Sequence, residues 1–339
     1  MQPGGWTFAA LITAILGGGL VCLDRADSAQ PPALATPHEQ AGVAAEPITP
    51  LPLAMPLDNR KVELGRRLFH DAGLSGDGSV SCASCHKLVG GGVDRLVRSR
   101  GIGGKEGGIN APTVFNSGFN FRQFWNGRAE TLDEQVDGPL QHPAEMGATW
   151  PQAIAKLSKD PSYRTEFAAN YRDGIQPHNV KDAIATFERS LVTPNSRFDR
   201  FLRGDHAALN EAEQAGYRLF KQLGCASCHQ GTNIGGNMYQ KLGVMEDYFT
   251  ARGNISEADL GRFSITQREE DRYFFKVPSL RNVALTPPYL HDGSAKTLEE
   301  AVRVMARYQL GEQLNTDDLE RIVAFLHTLT GEYQGRPLE

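Results

Sequence analysis

The sequence predicts an all-α fold made of two similar helical domains, and three observations support this prediction. The first is an internal repeat, because residues 63–70 are matched by residues 214–221, with Gly65 and Gly216 at equivalent positions. The second is that apolar residues in both copies recur three or four positions apart, which is the period of an amphipathic helix. The third is that each half ends in another helical pattern, while strand-like alternation is rare.

The closing helix of each half shows this periodicity. In the first half its apolar positions are Val180, Ala183, Ile184, Phe187 and Leu191. In the second half they are Leu319, Ile322, Val323, Leu326 and Leu329. Asp317 and Asp318 begin the second of these helices, where acidic side chains interact favourably with the helix dipole.

Between its two helices, each half carries the pattern C-x-x-C-H, at residues 82–86 and 225–229. This pattern is the covalent attachment signature of a c-type haem. The two thiols form thioethers with the haem vinyl groups, and the histidine binds the iron from one face. The residues predicted to hold the two haems are Cys82, Cys85, His86, Cys225, Cys228 and His229. Two such sites indicate electron transfer or peroxide chemistry.

Cysteine pairs of this spacing also bind zinc or take part in thiol redox chemistry. The pairs begin at positions 82 and 225, so they lack the close spacing of four zinc ligands. A thiol redox site would require neither the following histidine nor a second copy. Haem attachment is therefore the favoured interpretation.

A helix before the haem motif and a helix at the end of the domain is the plan of a class I cytochrome c. The sequence thus predicts two class I cytochrome-c-like domains, at residues 57–194 and 195–339, each with one covalently bound c-type haem. The glycine-rich loops, such as residues 101–108, are expected to surround the haem edges.

The N-terminal region has a different composition. Residues 1–29 include an apolar run that is short for a membrane span and are predicted to be a signal peptide or an N-terminal anchor. Residues 30–56 are rich in proline and alanine and are predicted to be a linker without a packed core. Export to the periplasm is expected, because bacterial c-type haem is attached outside the cytoplasm. The net charge of −5 does not suggest binding to nucleic acid.

The two haems are predicted to differ in their second axial ligand. Met305 follows His229 by 76 residues, where class I cytochromes supply a thioether, and is the best candidate for the second haem. Met238, Met245 and His291 compete with it, and Met305 could also be a core residue. In the first half no equivalent stands out, although the acidic Glu145 follows the motif. An iron with an open face beside a carboxylate suits peroxide chemistry.

Seven ordered stretches resemble the bacterial dihaem cytochrome c peroxidases and their relative MauG, over about residues 50–334. These stretches are residues 81–86, 110–116, 123–129, 142–147, 225–229, 276–282 and 288–293. The resemblance implies that His86 holds a low-potential peroxidatic haem, and that His229 and Met305 hold a high-potential haem.

The resemblance also implies roles for residues outside the haem motifs. Glu145 would be the acid–base residue over the peroxidatic iron, with Gln135 and Phe124 lining its pocket, and Trp125 would carry electrons between the haems. A calcium ion would be bound by Asn110 and the backbone carbonyls of Thr286 and Pro288. Each has a structural alternative: Trp125 as a core aromatic, Glu145 as a cap or surface acid, and Asn110 as a turn residue.

One position departs from the family pattern. Most of these peroxidases carry a histidine 16 residues after the first haem histidine, and it caps the peroxidatic iron in the oxidised enzyme. That position is Ile102 here, and no histidine lies between His86 and His142. The first haem is therefore expected to be open without reductive activation, unless His70 acts as a substitute cap.

These features predict an exported peroxidase that reduces hydrogen peroxide to water. Its electron donor would be a small monohaem cytochrome c or a cupredoxin, and the family suggests a homodimer. Two alternatives stay open at this point. One is a MauG-like enzyme that oxidises side chains of a partner protein, although that resemblance implies a tyrosine at the position of Met305, and Tyr308 is out of register. The other is a dihaem electron carrier without enzymatic activity.

Overall fold

The structure is a computed structural model, and it describes residues 46–339. The predictions for residues 1–29 and for most of the linker lie outside the described residues. Within residues 46–339, none of the helices is both long and apolar enough to span a bilayer. The described residues form one compact unit.

Helices dominate the described part of the chain. They are α1 (Asn59–Phe69), α2 (Cys82–Cys85), α3 (Leu132–Gln135), α4 (Asp137–Gln141), α5 (Trp150–Leu157), α6 (Pro161–Asn170), α7 (Pro177–Ser190), α8 (Arg197–Leu202), α9 (Glu211–Gln222), α10 (Tyr248–Arg252), α11 (Phe263–Thr266), α12 (Leu298–Met305) and α13 (Thr316–His327). Four short strands accompany them: β1 (Tyr239–Lys241), β2 (Phe274–Lys276), β3 (Glu332–Tyr333) and β4 (Arg336–Pro337). β1 pairs with β2 and β3 with β4, both antiparallel. The fold is therefore mainly helical, with two small sheets that the all-α prediction did not include.

Local sequence signals set the helix ends. At the start of α9, the side chain of Asn210 accepts a hydrogen bond from the backbone N–H of Glu213, and Glu213 accepts one from the N–H of Asn210. This reciprocal capping box satisfies two donors that the helix itself leaves free. At the start of α13, Asn315 accepts a hydrogen bond from the N–H of Asp318. Helices α9 and α13 therefore begin at polar caps that the sequence already contains.

The internal repeat corresponds to a repeated pair of crossed helices. α1 packs against α7 in the first half, and α9 packs against α13 in the second. Gly65 lies against the carbonyl of Ala183, and Gly216 lies against the carbonyl of Arg321, so that a side chain at either glycine would overlap the facing backbone. The matched glycines are therefore the points of closest approach of the two helix pairs.

Each helix pair encloses its own apolar core. The first core includes Leu68, Phe69 and Phe187, and the second includes Phe220 and Phe325. α7 ends at Ser190 and α8 begins at Arg197. The domain boundary at residues 194 and 195 stays a prediction, because the two halves form a single compact unit.

The two ends of the described chain pack against opposite halves. Ile48 and Leu51 are both 1% exposed, and Ile48 belongs to the core of the second half. The backbone N–H of Leu51 donates to Asp199 at 3.2 Å. The prediction that residues 30–56 lack a packed core is therefore wrong for residues 46–51, because two apolar side chains between the prolines are enough to anchor the segment. At the other end, Tyr333 packs against the core of the first half.

Candidate haem sites and the interface between them

The first C-x-x-C-H motif folds as a single helical turn followed directly by its histidine. Cys82 and Cys85 begin and end α2, and neither thiol is in a disulfide. The backbone N–H of His86 donates to the carbonyl of Cys82 at 2.9 Å. The Nδ1 atom of His86 lies 3.4 Å from the carbonyl oxygen of Gly92, which leaves Nε2 free to bind a metal. Burial lowers the pKa of His86, so the imidazole is the neutral form that ligates iron.

The second motif repeats this arrangement. Residues Cys225–Ser227 form a 3₁₀ turn, and the N–H of His229 donates to the carbonyl of Cys225 at 3.0 Å. The Nδ1 atom of His229 lies 3.3 Å from the carbonyl oxygen of Ile234. Burial lowers the pKa of His229 to about 4. Both histidines are thus held through one ring nitrogen, with the other available as a ligand.

A large, mostly apolar cavity adjoins the second motif. Its walls include both thiols of that motif, the imidazole of His229 and the thioether of Met305. Met305 is the last residue of α12 and is followed by a π-helical turn at Ala306–Leu310, a distortion often found at functional sites. Two thiols, an imidazole and a thioether around an apolar space are the donor set of a His/Met c-type haem. The residues present therefore fit the group that the sequence predicts.

The competing ligands for the second haem fit less well. Met245 is 60% exposed, and Met238 is not among the cavity-lining residues of the described chain. His291 does line the cavity, but its Nε2 atom lies 2.6 Å from the carboxylate of Asp259. Tyr308 does not line the cavity, and its ring packs edge-on against Tyr248. Met305 is the candidate that the cavity favours.

Glu145 lies in the loop that follows α4. Its carboxylate is 3.5 Å from Nδ1 of His142, and its side chain is 39% exposed. The N–H of Ile102 donates to the carbonyl of Glu145 at 2.8 Å, and the Ile102 side chain lies against Gly147. The position where most of the resembled peroxidases have a capping histidine is therefore in direct contact with the predicted acid–base loop, and it is apolar.

Phe124 and Gln135 lie on neighbouring elements. The ring of Phe124 is close to Gly138 in α4 and is covered by the guanidinium of Arg128, whose central carbon is 3.3 Å from the ring centroid. Gln135 ends α3 and is half-buried. Among the described residues, no hydrogen bond joins the Gln135 side chain to Glu145. The helices α3 and α4 thus place Phe124 and Gln135 near the loop of Glu145, but the Gln135 side chain forms no hydrogen bond with Glu145.

Trp125 connects the two halves. Its indole N–H donates to the backbone carbonyl of Asn110 at 2.9 Å, and its ring lines the cavity of the second haem motif. The ring also lies edge-on to His291, with 6.4 Å between the ring centroids. A residue from the first half therefore forms part of the wall around the second site.

The three residues predicted to bind calcium, Asn110, Thr286 and Pro288, all line this cavity. Asn110 is 8% exposed, and its backbone N–H donates a hydrogen bond to the carbonyl of His291 at 2.8 Å. Its side-chain NH₂ donates to the carbonyl of Leu96 at 2.9 Å. The amide oxygen is the atom left for a hard cation.

Comparison with known proteins agrees with this geometry. Residues 59–207 match the family model "Di-haem cytochrome c peroxidase", and residues 213–330 match "Cytochrome c". The chain is 47% identical to the cytochrome c551 peroxidase of Nitrosomonas europaea, over 86% of this chain and 87% of that protein. The chain belongs to the di-haem cytochrome c peroxidase family. It is also 50% identical to the cytochrome c peroxidase Ccp of Escherichia coli, over 85% of this chain but only 62% of that longer protein.

MauG proteins are more distant relatives within the same family. The methylamine utilization protein MauG of Methylorubrum extorquens is 33% identical over 84% of this chain and 82% of its own length. Among solved structures, a MauG-like protein associated with microbial copper homeostasis is 31% identical and superposes with a TM-score of 0.73. That alignment covers 84% of this chain and 93% of the other. The fold of this chain is thus shared with that MauG-like protein.

Two features of this family member were not assigned from the sequence. One is a buried polar network in which Asp259, 1% exposed, accepts hydrogen bonds from Arg252 and Ser256 and pairs with His291. Burial by itself would raise the pKa of Asp259, but these hydrogen bonds hold that pKa well below its usual range. The other is Lys276, a buried lysine in a motif that the sequence singled out without giving the lysine a role. Neither was evident from local patterns, because the pairing of Asp259 with His291 and the burial of Lys276 both depend on contacts between distant residues.

Proposed function

We propose that this family member reduces hydrogen peroxide to two molecules of water, using two protons and two electrons, at an open first haem. The single observation that carries the proposal is the asymmetry between the two sites. Around the second motif, His229 and Met305 line one cavity and would be the two protein ligands of a haem iron bound there. Beside the predicted distal loop of the first site lies Ile102, which cannot bind iron. When bound, the first haem supplies an iron to which peroxide can coordinate, and the second supplies stored electrons.

Glu145 is the proposed acid–base residue. Its carboxylate is partly exposed and lies beside His142, so it can exchange protons with solvent while its backbone is held by Ile102. Reduction of peroxide requires a proton to move from the inner to the outer oxygen, and a positioned carboxylate performs such a transfer. Gln135 would orient the bound oxygens, and Phe124 would complete the pocket wall.

Trp125 is the proposed electron relay between the sites. Its indole is fixed by the hydrogen bond to Asn110 and lies in the wall of the second cavity, which supports a role in joining the two centres. Asn110 with the carbonyls of Thr286 and Pro288 would bind calcium at this interface. The same hydrogen bond would then connect the calcium site to the relay.

The decisive experiment is Glu145→Gln. This change keeps the size of the side chain but removes its ability to carry a proton. We expect peroxide-dependent oxidation of reduced cytochrome c to fall by about 10²–10⁴-fold, the usual contribution of general acid–base catalysis. The matched control is Glu106→Gln, an exposed glutamate of the neighbouring loop. Full activity of Glu145→Gln, with both haem spectra intact, would remove Glu145 from the mechanism.

The open first haem has its own test. We expect the EPR spectrum of the fully oxidised protein to contain a high-spin ferric signal from about one of the two haems. His70 caps the C-terminus of α1 with its Nδ1 atom 2.8 Å from the carbonyl oxygen of Arg66, which leaves Nε2 free, so the same spectrum also tests His70 as a substitute cap. A spectrum with low-spin species alone would contradict the proposal.

Two alternatives are separated from this function by further assays. A MauG-like enzyme would oxidise side chains of a partner protein, but the cavity favours Met305 over Tyr308 as the second ligand. A dihaem electron carrier would show no turnover with peroxide and reduced cytochrome c. The remaining proposals are export to the periplasm, with or without an N-terminal membrane tether, a monohaem cytochrome c or a cupredoxin as donor, and a homodimer.

A further inference from the structure

Lys276 is a buried lysine without a partner among the described residues. It is the last residue of β2 and is 7% exposed. Within residues 46–339, the Lys276 ammonium has neither an ion-pair partner nor a hydrogen-bond partner. Burial lowers its pKa to about 8, and no neighbouring negative charge opposes this effect. A buried ammonium without a counter-ion is costly, so the surroundings of Lys276 favour the binding of an anion.

The cavity of the second haem motif is where this anion would lie. Lys276 lines the cavity together with His229 and Met305. The other titratable side chains in the described walls are Cys225, Cys228, Tyr289 and His291. Those walls therefore contain no carboxylate and only one side chain, Lys276, whose ordinary state is cationic. The charge of the cavity is complementary to an anionic ligand.

The cofactor predicted for this cavity is an anion of the required kind, because a haem carries two propionate carboxylates. We propose that the ammonium of Lys276 pairs with a propionate of the second haem and thereby raises the reduction potential of that haem. The proposal rests on the second haem occupying the cavity of His229. A nearby positive charge favours the ferrous over the ferric form, since reduction adds an electron to the centre.

The backbone of Lys276 has a separate role that a substitution would preserve. Its N–H donates to the carbonyl of Trp125 at 2.8 Å, and its strand is paired with Tyr239 of β1. These contacts do not depend on the side chain. Changing the side chain should therefore leave Trp125 in place and remove the charge alone.

The test measures the midpoint potentials of both haems by spectroelectrochemistry, in the intact holoprotein at neutral pH. In Lys276→Met we expect the equilibrium constant for reduction of the second haem to fall at least tenfold, which is 59 mV for a one-electron couple. The potential of the first haem should not change. Lys276→Arg should restore most of the shift, because it restores the charge. The matched control is Lys241→Met, which removes an exposed lysine from the adjacent strand and should leave both potentials unchanged.

Lys276→Gln provides a second neutral variant if Lys276→Met is poorly folded, because it keeps a polar group of similar length. A potential close to that of wild type in either neutral variant, with both haems attached, would overturn the proposal. An equal shift in Lys241→Met would also overturn it, because the effect would then be a general one of surface charge. Peroxide turnover is not part of this readout. A protein that failed as a peroxidase could still pass this test, and an unchanged potential would leave the peroxidase proposal intact.

Discussion

The tight helix crossing at Gly216 predicts that Gly216→Ala destabilises the protein. A Cβ at this position would overlap the carbonyl oxygen of Arg321 and would lie 2.9 Å from Cβ of Phe325. Alanine is about 1 kcal/mol more favourable than glycine within a helix. Overpacking of a tight core costs about 1–3 kcal/mol, and a facing backbone carbonyl cannot move aside as a side chain can. We therefore place the cost at the upper end, with a net loss of about 2 kcal/mol in the free energy of unfolding.

The equivalent change in the first half provides an internal repeat of the experiment. A Cβ at Gly65 would overlap the carbonyl of Ala183 and would lie 2.7 Å from Cβ of Phe187. The two substitutions are in different cores, so their effects on the free energy of unfolding should add. The matched control is Gly108→Ala, because no heavy atom lies within 4 Å of a Cβ built there. The control should change stability by less than about 0.5 kcal/mol.

The assay is urea denaturation of the holoprotein, followed by far-UV circular dichroism. We expect lower midpoints for both helix variants, with an unchanged slope. A Gly216→Ala variant as stable as Gly108→Ala would refute the reasoning. Such a result would mean that α9 and α13 can move apart at little cost in free energy, and that the glycine is not required for the close approach of the two helices.

Three further predictions concern buried polar groups. Burial raises the pKa of Glu188 to about 8, whereas the same group in the unfolded chain has a pKa near 4.5. The free energy of unfolding of the wild type should therefore fall as the pH rises between these two values. Relative to the wild type, Glu188→Gln should be more stable by up to about 3 kcal/mol at pH 7 and equally stable at pH 4, as measured by denaturation curves. Equal stability of the two proteins at both pH values would contradict this. Asp259→Asn should lose about 3 kcal/mol, because it leaves the half-buried Arg252 and the buried His291 less well compensated, and a neutral result would show that Asp292 alone suffices for Arg252. In the wild type this contribution of Asp259 should be present above about pH 4 and be lost as the pH falls below it. Asn110→Ala should weaken calcium binding measured by calorimetry, with Asn110→Asp as the variant that retains an oxygen ligand; no binding of calcium by the wild type would contradict the proposed site.

Much of the fold could be predicted from the sequence, because its signals are local. The helices α1, α7, α9 and α13 follow from apolar residues at helical spacing, and α13 also from the acidic residues of its first turn. The haem motifs are visible because the two thiols and the histidine of each site lie within five residues. Met305 could be ranked first by its distance from His229 along the chain, and the cavity favours the same residue.

The rest depended on contacts between distant parts of the chain. Proline-rich composition predicted an unpacked segment up to residue 56, but Ile48 and Leu51 are buried, since burial depends on which surface the segment meets. The strand pair β1–β2 joins residues more than 30 positions apart, and each strand is too short to show a pattern.

The sequence by itself determined the chemistry of the two sites and the helix pairs that carry them, since each haem-attachment motif and each helical periodicity lies within a short stretch of sequence. Only the tertiary structure decided which groups share a cavity. It brought Trp125 from the first half against the second site and left Lys276 there without a counter-ion. The physical reason is that burial and charge compensation are properties of an enclosed volume, and that volume exists only when both halves have closed around it.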